Sequence, residues 1–143
     1  MKATTGRGFT LIEVMVVVVI LGILAALVVP RIMGRPDEAR VTKTQQDIRA
    51  IESALNLYRL DNFIYPSTDQ GLEALVERPT AEPVPKNWQS GGYLDRLPKD
   101  PWGNFYGYLQ PGEHSEVDLF SFGADGTAGG EEMDQDIGNW DMQ

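Results

Sequence analysis

The sequence predicts an α+β fold: a long amino-terminal helix, apolar first and amphipathic after, packed on a small antiparallel three-stranded sheet with a loop-rich carboxyl-terminal region. Three observations predict it. Val14–Val29 is an unbroken apolar run, and Phe9–Ile12 extend it on the other side of Glu13. Apolar residues then recur at helical spacing from Val41 to Tyr58. Near the carboxyl end, Phe105–Gln110 and Val117–Phe122 read as strands joined by a Pro111-Gly112 turn.

Composition narrows the function classes. At 143 residues one domain is the expectation. The absence of Cys excludes a disulfide scaffold, thiolate metal sites and thiol chemistry. A single His, His114, leaves little for His-based catalysis. The net charge of −9 argues against a nucleic-acid partner, which needs a basic footprint. That charge is unevenly placed. Up to Pro111 there are 12 basic and 12 acidic residues, and from Gly112 on there are nine acids and no Lys or Arg. Such a cluster is either a solvated segment or a place for a cation.

The amino end reads as a membrane segment. Phe9–Val29 spans about 21 residues, enough for a helix to cross roughly 30 Å of hydrocarbon. Its many valines are poor helix formers in water, but in lipid the backbone must satisfy itself and helix is expected. A secretory cleavage site would follow the run with small residues, whereas Pro30-Arg31-Ile32-Met33 follows here. A Gly8-Phe9 junction stands before it instead. Glu13 is the informative residue, because a carboxylate in a membrane helix is costly. It either snorkels to the headgroups or serves as counter-charge to a cation brought by a neighbouring subunit.

Gly8-Phe9-Thr10-Leu11-Ile12-Glu13-Val14, followed by the run and Pro30, resembles the amino-terminal motif of type IV pilins and type II secretion pseudopilins. The resemblance implies that residues 1–8 are a leader, that a prepilin peptidase cuts between Gly8 and Phe9, and that Phe9 is then N-methylated. It also implies that Glu13 neutralises the terminal amine of an adjacent subunit during assembly. Two buried charges left unpaired are costly, and pairing them between subunits relieves both. Removing Lys2 and Arg7 with the leader takes the net charge from −9 to −11. Residues 9–30 are then the transmembrane helix and residues 31–143 a periplasmic head.

Beyond Pro30, Val41, Ile48, Ile51, Leu55 and Tyr58 mark one face of a helix over about residues 37–61, with Arg40, Lys43, Asp47, Arg49, Glu52 and Arg59 elsewhere. Continuous from Phe9, it would reach roughly 80 Å. Ser67, Thr68 or Asp69 caps a short helix near residues 70–77. Three prolines in Pro79–Pro85 mark a loop. Tyr65-Pro66-Ser67, Gln70-Gly71-Leu72 and Leu97-Pro98-Lys99-Asp100-Pro101-Trp102-Gly103 resemble the major pseudopilin of type II secretion.

A short third strand is expected around Asn139-Trp140. Between it and the second strand, the loop over residues 123–138 combines glycines with closely spaced carboxylates. Hard oxygen donors on a flexible backbone suit Ca²⁺, which takes 6–8 oxygens, although the spacing is not that of an EF-hand. A solvated loop is the alternative. The pseudopilin resemblance implies one bound calcium, with Asp125 matching the first ligand and Asp134 and Asp136 the later ones, just before Ile137-Gly138-Asn139-Trp140. Gln135 splits that pair, which leaves open which of Asp134 and Asp136 coordinates, with Glu131 or Glu132 as the alternative.

The reading that joins these features is a structural subunit, not an enzyme. It is the major component of a type II secretion pseudopilus, polymerising from the bacterial inner membrane to drive export of folded proteins. Its implied partners are further copies of itself, minor pseudopilins, the prepilin peptidase and the inner-membrane assembly platform. The competing readings are a minor pseudopilin or type IV pilin, a membrane-anchored enzyme, and a membrane-tethered calcium-binding module. No nucleophile motif or phosphate loop supports an enzyme, and a mere anchor needs neither Glu13 nor the Gly8-Phe9 junction.

Overall fold

The computed structural model describes residues 8–33 and 35–142, and their side chains except those of residues 28–33 and 35. The expected leader therefore lies, but for Gly8, outside the described residues. The chain divides into two compact units, residues 1–38 and 39–143.

In the first unit, α1 runs over Leu11–Met33. Its start is set by Thr10 and Glu13, whose spacing is that of a capping box. Glu13 Oε2 accepts the Thr10 amide at 3.0 Å, and the Glu13 amide donates to Thr10 Oγ1 at 3.3 Å. Pro30 does not end the helix, which continues to Met33. The large apolar side chains from Phe9 to Leu27 are all exposed, between 50% and 88%. An apolar surface on every side of a helix belongs in lipid or against other apolar helices. Among the described residues no helix is long and apolar enough to cross a membrane.

In the second helix, α2 (Arg35–Asn62), Pro36 occupies the first turn, where its missing N–H costs nothing. Ile48, Ile51, Leu55 and Tyr58 are fully buried, as their spacing predicts. Val41 is only partly buried, and the stripe continues instead through Thr44, which is fully buried. Its hydroxyl donates to the Arg40 carbonyl at 2.9 Å, so a polar residue is satisfied within the helix itself.

The helix packs into one core with Leu72, Ala74, Leu75, Tyr106, Tyr108, Val117 and Leu119. The sheet is antiparallel in the order β1 (Gly107–Leu109), β2 (Asp118–Ser121), β3 (Ile137–Gly138). Tyr108 pairs with Leu119 and Phe120 with Gly138. The third strand is displaced from the expected position. Asn139–Met142 is a 3-10 turn, and the strand is the two residues before it. Asn139 explains the shift: its side chain accepts from the Leu119 amide at 3.1 Å and donates to the Val117 carbonyl at 3.0 Å, replacing ladder bonds by side-chain ones. The short helix expected near residues 70–77 is a 3-10 turn over Leu72–Leu75. Ser67 and Gln70 bond each other reciprocally ahead of it, and the Gln70 amide group donates to Ala81 and Pro83 carbonyls, tying down the proline loop.

Phe63 directly follows α2 with φ of 64°. Its amide donates to the Arg59 carbonyl at 2.6 Å, a left-handed helix end that glycine normally supplies. A side chain in that conformation costs about 1–2 kcal/mol.

An amino-terminal carboxylate and an acidic loop

Two places hold the residues singled out by the sequence. At the first, Gly8, Phe9 and Thr10 precede α1 and are exposed. Glu13 lies at the third position of the helix, where a negative charge meets the positive end of the helix dipole. Its Oε2 accepts both the amide and the hydroxyl of Thr10, at 3.0 and 3.1 Å. The carboxylate is thus held at Thr10, the residue after Phe9. The capping role was legible from Thr10-x-x-Glu13.

The second place is the acidic loop between β2 and β3. Asp125 closes on Thr127, accepting its amide at 3.0 Å and its hydroxyl at 2.8 Å. These two bonds hold the Asp125 carboxyl below the usual carboxylate range. Asp136 Oδ2 accepts the Gly129 amide at 2.9 Å. Its Oδ1 is buried with no hydrogen-bond partner. Asp134 is exposed in a 3-10 turn over Glu132–Asp134, and Glu131 and Glu132 are exposed beside it. Among the described residues no three carboxylates gather as a metal cluster.

Main-chain oxygens gather instead. Gly123 has φ of 70°, and a Cβ added there would lie 2.8 Å from the Met133 carbonyl oxygen and 2.9 Å from that of Gln135. Carbonyl and carboxylate oxygens are the donors that calcium takes, and the orphaned Asp136 oxygen is of that kind, while the Met133 carbonyl already accepts the Ala124 amide at 2.9 Å.

Two buried carboxylates that composition did not single out build the surroundings. Asp100 Oδ1 accepts the amides of Trp102 and Asn104 at 3.1 and 2.8 Å, and its Oδ2 accepts the Ser121 hydroxyl at 2.7 Å. Ser121 Oγ in turn accepts the Gly123 amide at 3.2 Å. The Lys99-Asp100-Pro101-Trp102-Gly103 segment is thereby joined to the root of the acidic loop. Asp118 accepts the amides of Glu113, His114 and Ser115, with the closest contacts at 2.7, 3.0 and 3.0 Å. His114 Nδ1 also lies 3.0 Å from Asp118, and its ring stacks on Trp140 at 4.1 Å between centroids. His114 and Ser115 are therefore parts of a turn anchored by Asp118. The signal was present as a polar residue inside a strand pattern, but its partners are backbone amides, which no spacing reveals.

Comparison with known proteins covers the whole of this arrangement. The family described as "Type II secretion system (T2SS), protein G" matches residues 31–140, and the prokaryotic N-terminal methylation motif matches residues 6–29. The Type II secretion system core protein G of Pseudomonas aeruginosa is 66% identical over 141 residues, covering 99% of this chain and 99% of that protein. Its namesake in Vibrio cholerae is 60% identical over 142 residues, covering 99% of this chain and 97% of the other. The crystal structure of the major pseudopilin from the type 2 secretion system of enterohaemorrhagic Escherichia coli is 51% identical. It superposes with a TM-score of 0.70 over 80% of this chain and 97% of the other.

Proposed function

Because the chain belongs to the protein G family of type II secretion systems, we propose that it is the major structural subunit of the pseudopilus, a filament that drives export of folded proteins. One observation carries this reading. A head with its own buried core is preceded by a helix whose apolar side chains are exposed on every side. Such a helix is unsuited to water, and lipid before assembly and neighbouring copies after it supply what it lacks.

The protein is accordingly membrane-anchored or periplasmic, and it assembles with other pseudopilins and secretion components. The finer reading is a single pass of the inner membrane by residues 9–30, with the carboxyl-terminal head in the periplasm. A prepilin peptidase removes residues 1–8 and Phe9 is methylated. The platform of the inner membrane and minor pseudopilins are the assembly partners. The exposed Gly8-Phe9 junction is accessible to such a peptidase. The experiment is mass spectrometry of the chain from filaments sheared off cells that overproduce it, with an N-methylated Phe9 terminus as the expected result.

The loop takes one calcium in this reading. Asp136 and Asp125 hold it, together with carbonyls near Gly123 and with Asp134, Glu131 or Glu132 from the adjoining turn. The ion supplies divalent charge to a segment that holds nine acids and no cation. A ligand at a hundred times its dissociation constant stabilises by about 2.7 kcal/mol. The full chain in detergent should therefore melt several degrees higher in calcium than in chelator, and Asp136→Ala should remove that difference. Equal melting temperatures of the unmutated chain in the two conditions would rule out the site.

A further inference from the structure

Asp100 is 4% exposed, and both of its oxygens are engaged. Oδ1 accepts the amides of Trp102 and Asn104, which closes the turn that Asp100 begins. Oδ2 reaches 21 positions along the chain and accepts the hydroxyl of Ser121, the last residue of β2. Closing the turn needs only the first oxygen. The second ties the turn to a point outside it, through a hydroxyl that is 1% exposed. A buried carboxylate is costly unless it is hydrogen-bonded, and here one of those bonds serves as a link between segments.

Ser121 carries the link into the acidic loop. Its Oγ accepts the amide of Gly123 at 3.2 Å. At Gly123 the two sides of the loop meet, because a Cβ there would crowd the Met133 and Gln135 carbonyls and the Ala124 amide donates to Met133. Asp125 follows Gly123 by two residues, and Asp136 directly follows Gln135. The other end of the Asp100 turn touches the same loop. Asn104, whose amide Asp100 holds, places its side-chain nitrogen 3.5 Å from where a Cβ at Gly126 would lie. Asp100 is thereby joined to the loop on both sides of Asp125.

Resting on the calcium reading above, we propose that Asp100 and Ser121 are positioning residues for the cation site of the acidic loop. Neither is a ligand. They fix the closure at Gly123, and so hold Asp125 and Asp136 in place before a divalent cation arrives. Donors ordered in advance bind more tightly, since their ordering is not charged to the binding step. Loss of a partner that orients the ligands costs about 10–100-fold in metal affinity.

The test is calorimetric titration of the full chain in detergent with calcium, with melting in chelator measured alongside. Ser121→Ala cuts the link and leaves both Asp100 amide bonds in place. Its calcium dissociation constant should rise at least about tenfold. A merely structural Ser121 would lower the melting temperature in chelator and leave the dissociation constant unchanged, and that result would overturn the proposal. Should Ser121→Ala not fold, Asn104→Ala at an exposed position decides in its place. Its dissociation constant should likewise rise about tenfold, and an unchanged value would overturn the proposal. Absence of calcium binding by the unmutated chain would instead sink the calcium reading, and the positioning role with it.

Discussion

Glu13→Ala is expected to abolish filament assembly while leaving the chain inserted and cut after Gly8, the largest single effect expected of any substitution. The reasoning starts from charge. In the proposed assembly, cleavage after Gly8 would leave a cationic amine on Phe9, to be buried among apolar helices. Removing one partner of a buried ion pair costs about 3–5 kcal/mol, because the other charge is left uncompensated. That is a loss of more than about a hundredfold in the equilibrium of each subunit addition. The structure adds a second role that must be separated from the first. Glu13 also caps α1 through Thr10, a contribution of about 1 kcal/mol. Glu13→Gln distinguishes the two, since Gln serves in a capping box but carries no charge. If the counter-charge matters, Gln fails as Ala does when sheared filaments are quantified by immunoblot. Filaments at normal yield from Glu13→Gln would reduce the residue to a helix cap.

Asp118→Ala should unfold the head at a much lower temperature than any surface change. The buried carboxylate accepts three successive amides and the Ser115 hydroxyl. Leaving a buried donor unsatisfied costs about 1–3 kcal/mol, so loss of the set is expected to exceed about 3 kcal/mol. That corresponds to a fall of roughly 10 °C or more in melting temperature for a domain near this size. The pH dependence has a definite sign. Burial alone pushes the Asp118 carboxyl up, but the His114 side chain and the amides of His114, Glu113 and Ser115 outweigh it and hold it below its usual value. A carboxyl depressed in the folded state stabilises fully above its unfolded pKa of about 3.9 and loses that contribution as pH falls through the folded value. Melting temperature should therefore drop below about pH 4, and Asp118→Asn should flatten that acid limb. An unchanged acid limb in Asp118→Asn would show that other groups govern it.

How much of this was legible depended on where the determining atoms lie. The apolar run and the stripe from Ile48 to Tyr58 were readable because burial of side chains at a 3.6-residue period leaves a pattern in the sequence. Thr44 broke that pattern, since a hydroxyl that bonds its own helix can be buried at little cost and still looks polar. The strands were readable from their aromatics, but β3 moved because Asn139 satisfies backbone groups on β2 with its side chain. Asp100 and Asp118 were missed for the same kind of reason. Their partners are main-chain amides brought together by turns, and turns of that type carry no periodic signal. In the acidic loop, composition pointed to a cation and to three aspartates. The fold shows an orphaned Asp136 oxygen and two carbonyls close to Gly123, features that residue type alone does not identify.

The amino-terminal peptide of the chain recovered from sheared filaments decides whether this subunit is processed and assembled as proposed. Its mass, read by tandem mass spectrometry, should be that of a peptide beginning at Phe9 and carrying one methyl group on its nitrogen. A filament chain that begins at Met1, or at any residue other than Phe9, would contradict the account, because Glu13 would then have no amine at the position the assembly requires.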